Sequence, residues 1–185
     1  MNTALILIDV QQSFRLRPYW DEARAAPFLA QTNKLVDGCL ARSVPVLRIF
    51  HCDGPDDPAN PFALESGQVR ALDGLAAFEH TAQFVKNRHS ALVGTGLDVW
   101  LRQHGIGRLI VAGIRTEQCC ETTTRHASDE GFEVDFVPEA TLTFDMQHVD
   151  GSPLSADAIV ARTAAVLKGR FATICSVAQA LERAR

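Results

Sequence analysis

A cysteine in this chain occupies a position that suits a nucleophile. Cys119 lies in the segment Val111-Ala-Gly-Ile-Arg-Thr-Glu-Gln-Cys, where a predicted strand ends at Gly113 and a helical pattern begins near Thr116. The first turn of a helix has unpaired backbone N–H groups and the positive end of the helix dipole, which favour a thiolate. Such a setting lowers the pKa of a cysteine and makes its sulfur nucleophilic. The alternative is that Cys119 and Cys120 only pack beneath the helix, as most cysteines do.

Asp9 is a candidate base for that thiol. It follows the apolar run Ala4–Ile8, so its carboxylate is expected at the end of a buried strand and partly removed from water. Desolvation raises the pKa of a carboxylate and makes it a better proton acceptor. The competing interpretation is that Asp9 caps the turn that follows, through Gln11 or Gln12.

Lys86 supplies a candidate cation after the apolar pair Phe84-Val85. A single lysine is usually a solvated surface charge, so its position alone says little. Beside an aspartate and a cysteine, however, an ammonium group favours the charged forms of both.

These residues must be positioned by an α/β fold. Five short apolar runs bounded by polar or glycine-containing turns predict buried strands, and a shorter sixth strand is predicted at Gln83–Lys86. The five runs are Ala4–Ile8, Val44–Phe50, Arg108–Ala112, Phe132–Val137 and Phe171–Ile174. Helical patterns alternate with them at Pro27–Ala41, Leu97–His104, Thr116–Glu130, Ser155–Leu167 and Val177–Arg183.

Alternating strands and helices imply right-handed crossovers and a mostly parallel sheet covered by helices on both faces. The predicted fold class is a three-layer α/β/α sandwich, in one domain over residues 1–185. In such sheets ligands bind outside the carboxyl ends of the strands. That rule selects Asp9, the segment from His51 to Asp53, Lys86 and the segment that starts at Gly113.

Composition excludes several other classes. The formal net charge is −4 with lysines and arginines scattered along the chain, which argues against nucleic acid as a partner. No apolar run approaches the roughly 20 residues that span a membrane, and no secretion signal is recognisable at the N-terminus. We therefore expect a cytoplasmic protein. The five cysteines are an odd number without C-x-x-C spacing, so a disulfide scaffold or zinc ribbon is not indicated.

Three segments together resemble the isochorismatase-like cysteine hydrolases, which include nicotinamidases and N-carbamoyl amidohydrolases. The segments are Leu-Ile-Asp9-Val-Gln-Gln-Ser-Phe, Val-Lys86-Asn-Arg-His-Ser-Ala-Leu-Val-Gly-Thr-Gly-Leu and Ala-Gly-Ile-Arg-Thr-Glu-Gln-Cys119-Cys. They cover most of the chain from Ala4 to about Ala140, in the order and spacing of the family. The resemblance implies a catalytic triad of Asp9, Lys86 and Cys119 and a six-stranded sheet of the isochorismatase type.

The resemblance also implies details around the nucleophile. It implies a cis peptide bond between Ile114 and Arg115, an oxyanion hole made by the N–H groups of Arg115 and Cys119, and a homo-oligomer, either a dimer or a tetramer. Many relatives carry a small residue where this chain has Arg115, which either adds a cation near the pocket or points away. Cys120 is interpreted as a core residue in place of the common valine.

No catalytic metal and no cofactor are predicted. The zinc-containing nicotinamidases place Asp-x-His after the second strand and another histidine downstream. This chain has His51-Cys52-Asp53 instead, with no further histidine before His80. Neither the type nor the order of these residues fits the zinc site of those nicotinamidases. Three donor residues so close together leave open an ion site of another kind.

Substrate contacts are expected from the long loop 51–68, interpreted as a lid or pocket wall, and from nearby side chains. The candidate pocket residues are Phe14, Trp20, Phe50, His51 and Phe62. His89 and His126 are interpreted as structural, whereas His148, in a second loop at 145–153, is free enough to reach a substrate.

The sequence thus predicts acyl transfer from a small amide, imide or ureido substrate through a thioester on the cysteine. Two alternatives stay open: hydrolysis of a vinyl ether, as in isochorismatase, and a non-catalytic binding subunit with the same fold. A Rossmann-type nucleotide-binding protein is disfavoured, because the first strand leads into Asp9-Val-Gln-Gln and no G-x-G-x-x-G follows.

Overall fold

The main sheet of the protein has six parallel strands. The computed structural model describes residues 2–54 and 57–184. Eight strands lie there: β1 Asn2–Ile8, β2 Val46–His51, β3 Ala82–Lys86, β4 Ile106–Ile114, β5 Glu133–Leu142, β6 Met146–Gln147, β7 Pro153–Leu154 and β8 Thr173–Ile174. The sheet order is β3-β2-β1-β4-β5-β8, and β6 and β7 form a separate antiparallel pair. The predicted six-stranded parallel sheet is confirmed.

Helices cover both faces of this sheet. They are α1 Glu22–Leu40, α2 Leu97–Gln103, α3 Glu121–Asp129, α4 Ala156–Leu167 and α5 Val177–Arg183. One hydrophobic cluster joins the sheet to α1 and α5, and the other joins it to α2, α3 and α4. The three-layer α/β/α sandwich is therefore confirmed. Within residues 2–54 and 57–184, no helix is long and apolar enough to cross a membrane.

The central strand β1 shows why its sequence is apolar throughout. Leu5 and Leu7 pack into the cluster with α1 and α5, whereas Ile6 and Ile8 pack into the cluster on the opposite face. All four side chains are buried. Successive side chains of a strand point to opposite faces, so a parallel strand covered on both sides has no polar alternation.

Several boundaries differ from the sequence prediction, and the starts of two helices differ for a clear physical reason. The first helix begins at Glu22 and not at Pro27, because the Asp21 side chain accepts a hydrogen bond from the Ala23 N–H at 2.9 Å and caps the helix there. Pro27 lies inside the helix. The helix predicted from Thr116 starts with a π-helical turn, Thr116–Cys120, before α3 continues in α geometry.

Candidate active site

The carboxyl ends of four strands bring the predicted site residues to one edge of the sheet. Asp9 directly follows β1, the central strand, whose neighbours are β2 and β4. His51 and Lys86 are the last residues of β2 and β3, and the two are register partners. Cys119 lies in the π-helical turn just beyond β4. The topology therefore places all four residues around one point.

Lys86 is in contact with both the aspartate and the cysteine. Its Nζ lies 2.7 Å from Asp9 Oδ2 and donates a hydrogen bond to Cys119 Sγ at 3.3 Å. The residues are 0% (Asp9), 1% (Lys86) and 7% (Cys119) exposed. The ammonium group thus bridges a carboxylate and a sulfur that are almost completely removed from water, where charge interactions are strong.

The carboxylate of Asp9 faces the site and not the following turn. Among the described residues its side chain caps no backbone N–H, and its oxygens lie toward Lys86 and Cys119. Burial raises the pKa of Asp9 above its ordinary value, although the positive charge of Lys86 opposes the rise. A desolvated carboxylate of this kind is a stronger proton acceptor than one in water.

The cysteine itself differs from the sequence expectation of a lowered pKa. Burial, together with the negative charge of Asp9, raises the pKa of Cys119 to about 12, and Lys86 opposes this only in part. The free group is therefore a thiol at neutral pH. The expectation was wrong because it weighed the helix terminus and a cation but not the depth of the cysteine or the nearby carboxylate.

Lys86 keeps its charge despite being buried. Burial acts to lower the pKa of Lys86, but Asp9 and Cys119 raise it, and the net value lies above the ordinary one. The group is therefore an ammonium ion at neutral pH, able to stabilise negative charge on either neighbour.

The backbone before the cysteine takes an unusual course. The peptide bond between Ile114 and Arg115 is cis, and the N–H groups of Gln118 and Cys120 donate to the Arg115 carbonyl at 3.3 and 3.2 Å. Gly113 has φ +137°, and a Cβ atom there would lie 1.9 Å from the Ile8 carbonyl oxygen. Only glycine permits this approach of β4 to β1.

The side chain of Arg115 does not line the cavity. Its Nε lies 3.1 Å from Glu117 Oε1, and its guanidinium lies 5.1 Å from the ring centroid of Tyr19 and 5.7 Å from that of Phe144. The sequence left open whether Arg115 adds a cation near the pocket or points away from it, and in the structure it points away. Arg115 packs behind Tyr19, which does line the cavity.

A cavity of about 510 Å³ opens above the Asp9–Lys86–Cys119 cluster. Asp9, Cys119 and three of the predicted pocket residues, Phe14, His51 and Phe62, line it. Residues 57 and 59–62 form one wall, so this part of the long loop is a pocket wall. Residues 55 and 56 of the same loop lie outside the described residues.

Two predicted pocket residues lie elsewhere. Phe50 precedes the last residue of β2, and strand alternation turns its ring onto a face of the sheet, where Arg48 lies 5.8 Å from its centroid. Trp20 packs into the α1/α5 cluster with its ring 5.6 Å from that of Phe144. Both assignments were wrong, because proximity in sequence to a strand end does not fix the direction of a side chain.

Four cavity residues escaped the sequence prediction: Arg17, Tyr19, His89 and Gln118. His89 was interpreted as structural although it follows Lys86 by three residues, a spacing that signals the same sheet edge. His126, by contrast, has a structural contact: its Nδ1 lies 2.8 Å from Ser90 Oγ. His148 lies beside the β6–β7 pair and is not among the residues that line this cavity.

His51, Cys52 and Asp53 do not fit a metal site. Both ring nitrogens of His51 are occupied: Nδ1 lies 3.1 Å from Lys86 Nζ, and Nε2 lies 2.8 Å from Asp53 Oδ1. Cys52 Sγ is directed to the Gly54 backbone. In the part of the chain that the structure describes, no group of three or more His, Cys, Asp or Glu side chains is arranged to hold an ion.

Comparisons with known proteins identify the family of the chain. The isochorismatase domain matches residues 3–177 of the chain. Nicotinamidase 3 of Arabidopsis thaliana is 33% identical over 154 residues, which are 77% of this chain and 74% of that protein. The isochorismatase family protein YrdC of Bacillus subtilis is 26% identical over 176 residues, covering 95% of this chain and 92% of its own.

Solved structures with the same fold include an isochorismatase from Pseudomonas putida and a cysteine hydrolase from Pseudomonas syringae. The first has a TM-score of 0.85 at 25% identity and covers 96% of this chain and 89% of that one. The second has a TM-score of 0.86 at 23% identity and covers 98% of this chain and 92% of that one. With the domain match extending over nearly its whole length, the chain belongs to the isochorismatase family of hydrolases.

Proposed function

We propose that this protein hydrolyses a C–N bond of a small amide, imide or ureido substrate through a thioester on Cys119. The observation that carries the proposal is the ammonium of Lys86, which contacts the carboxylate of Asp9 and the sulfur of Cys119 at the floor of a cavity. The nicotinamidases of Arabidopsis thaliana and Escherichia coli among the relatives favour an amide as the scissile group.

In the first half-reaction Asp9 accepts the proton of the Cys119 thiol while the sulfur attacks the carbonyl carbon. Because the pKa of the thiol is raised and that of the carboxylate is raised as well, proton transfer accompanies the attack and does not precede it. Negative charge moves from Asp9 to the sulfur and then to the carbonyl oxygen. Lys86 stabilises the charge at the first two positions, and the backbone N–H groups of Arg115 and Cys119 hold the oxyanion.

Collapse of the tetrahedral intermediate completes the exchange. The C–N bond breaks, and the leaving nitrogen takes the proton from Asp9. Ammonia or an amine then departs from a thioester on Cys119, whereas the nitrogen of a cyclic imide stays attached to the acyl group as an amide. Asp9 then accepts a proton from water as the hydroxide attacks the thioester carbonyl. The C–S bond breaks, the sulfur recovers the proton, and the carboxylic acid leaves, or the carbamic acid in the case of a ureido substrate.

The test is hydrolysis of a panel of substrates by protein that has been treated with a chelator. Nicotinamide, succinimide, N-carbamoylglycine and isochorismate represent the amide, imide, ureido and vinyl-ether classes, and release of ammonia or acid is followed. Cys119→Ala should reduce turnover of the responsive C–N substrate by at least about a thousandfold. Cys120→Val, a change at the adjacent and fully buried cysteine, is the matched control and should keep it.

Two results would overturn the proposal. Equal turnover by Cys119→Ala and the unchanged protein would remove the cysteine from the mechanism. Turnover of isochorismate alone, independent of Cys119, would assign the vinyl-ether reaction instead.

A further inference from the structure

The ammonium group of Lys86 has a third partner besides the aspartate and the cysteine. A lysine ammonium has three N–H donors and no acceptor. Its nitrogen forms an ion pair with Asp9 Oδ2 at 2.7 Å, donates a hydrogen bond to Cys119 Sγ at 3.3 Å, and lies 3.1 Å from His51 Nδ1. The buried cation therefore has three close polar neighbours, one for each of its donors.

His51 is held in place from its other side. Its Nε2 lies 2.8 Å from Asp53 Oδ1, and the second oxygen of Asp53 accepts a hydrogen bond from Asn60 Nδ2 at 3.0 Å. These bonds keep the pKa of Asp53 below its ordinary value, with Asn60 contributing most and His51 less. Asp53 is therefore a fixed carboxylate at neutral pH, which favours a proton on the ring nitrogen that faces it.

The backbone of His51 is fixed as well. The side-chain amide of Gln11 accepts from the His51 N–H at 2.8 Å and donates to the His51 carbonyl at 3.0 Å. Gln11 is itself buried and follows Asp9 by two residues. The same segment that carries the carboxylate therefore sets the position of the histidine.

These contacts define the tautomer of the ring. Because Lys86 is an ammonium ion, His51 Nδ1 must be an unprotonated acceptor, and the proton must be on Nε2, where Asp53 receives it. Both nitrogens are then engaged with protein groups. Although the ring lines the cavity, neither nitrogen is free to exchange a proton with a substrate.

We propose that His51 is a positioning residue, whose Nδ1 fixes the Lys86 ammonium between Asp9 and Cys119, with Asp53 and Asn60 fixing the tautomer. The inference deepens the proposed function and rests on it for its biological meaning. Its direct consequence concerns the cysteine: when the third donor of Lys86 has no acceptor, the ammonium is held less firmly and supports a thiolate less well.

The test measures the reactivity of Cys119 without any substrate. Purified protein is treated with iodoacetamide, and alkylation of Cys119 is followed by peptide mass spectrometry over a range of pH values. His51→Leu fills the volume of the ring but offers no acceptor. Because a buried donor left without an acceptor is costly, we expect the alkylation rate at pH 8 to fall roughly tenfold.

A conservative variant and a distant control make the result specific. His51→Asn places an amide oxygen where Nδ1 was, and it should restore the rate to within about threefold of the unchanged protein. Asp53→Ala keeps the ring but removes the group that fixes its tautomer, so its rate should lie between the two. His104→Asn, an exposed position before β4 at the opposite edge of the sheet, should leave the rate unchanged.

The alkylation rates of the variants decide whether His51 positions Lys86. A reduced rate of Cys119 alkylation in His51→Leu, together with a near-normal rate in His51→Asn, supports the positioning role. Equal rates in all variants, or equal loss in His51→Leu and His51→Asn with circular dichroism showing both folded, would overturn it. The proposed hydrolysis fails separately, through undiminished turnover in Cys119→Ala, because alkylation requires only a reactive sulfur and no substrate.

Discussion

Burial governs the chemistry of the individual residues in this site. It raises the pKa of both Asp9 and Cys119, and Lys86 keeps its charge only because two acidic groups face it. The free protein therefore holds a thiol next to a carboxylate, with a cation that stabilises whichever of the two is negative. Such an arrangement delays formation of the thiolate until a carbonyl is present to receive it.

The pH dependence of turnover should follow Asp9. Its carboxylate must be ionised to accept the thiol proton, and its pKa is raised above the ordinary 3.8. Activity should therefore be absent below that raised pKa and increase as the pH rises through it. The measurement is kcat/KM against pH on the responsive substrate, with circular dichroism at each pH to show that the protein stays folded. An acidic limb centred at or below 3.8 would contradict the role of a desolvated base.

Removing the cation should cost stability in a pH-dependent way. Lys86→Met leaves the ionised carboxylate of Asp9 buried without a partner, a loss of about 3 kcal/mol in the free energy of unfolding near neutral pH. As the pH falls, Asp9 becomes protonated in the folded variant, so the penalty should shrink.

Urea unfolding at pH 8 and pH 5 measures this difference. Lys34→Met, at an exposed position on α1, is the control and should change the unfolding free energy little at either pH. A penalty for Lys86→Met that is equal at both pH values would show that the ion pair with Asp9 is not its cause.

Among the secondary-structure elements, the junction between β4 and the π-helical turn positions Cys119, the proposed nucleophile. Gly113 pairs with Ile8 at the end of β1, and Asp9 is the next residue along the chain. The close approach of these two strand ends therefore sets the separation between the turn that carries Cys119 and the carboxylate that faces it.

Gly113→Ala should prevent this approach. The added Cβ would meet backbone atoms of Ile8 at 1.9 to 2.8 Å, so the strands must separate, and we expect a loss of about 4 kcal/mol or more in stability. Gly131→Ala is the matched control: it also has a positive φ but nothing within 4 Å of the added atom. Its cost should be about 1 kcal/mol. Similar unfolding midpoints for the two variants in urea would contradict the steric argument.

The elements also show what the sequence could and could not predict. Asp9 and the segment that carries Cys119 could be assigned to the sheet edge because each follows a strand that is recognisable as an apolar run. Lys86, at the end of the short and less apolar β3, stood out only through the resemblance. The contact between His51 and Lys86 depends on the register of β2 and β3, which the sequence does not reveal. The directions of Phe50 and Trp20 and the depth of Cys119 likewise arise only when the layers pack together.

The molecule as a whole combines a rigid parallel sheet with a cavity built from loops. The sheet fixes Asp9, Lys86 and Cys119, while residues 57 and 59–62, together with Arg17 and Tyr19, line the cavity in which we propose that a substrate binds. Because loops vary more readily than the strands they connect, we expect substitutions here to alter substrate preference without displacing Asp9, Lys86 or Cys119. The homo-oligomer expected from the sequence resemblance stays a prediction, which sedimentation velocity checks directly.

Turnover by the whole protein should not depend on a metal. His51 faces an ammonium ion through one nitrogen and a carboxylate through the other, so the ring has no free ligand atom. Dialysis against EDTA should leave kcat/KM unchanged within about twofold, and added zinc should not raise it. Loss of activity with EDTA and its recovery with one specific metal would contradict this arrangement.

The proposed thioester mechanism is tested most directly by detection of the acyl group on Cys119. The protein is mixed with the substrate that it hydrolyses, quenched in acid within the first turnovers, and digested for peptide mass spectrometry. We expect an adduct with the mass of the acyl fragment on Cys119 and none on Cys120, with no adduct and no turnover in Cys119→Ala. Sustained turnover without an adduct, undiminished in Cys119→Ala, would contradict a thioester on this cysteine.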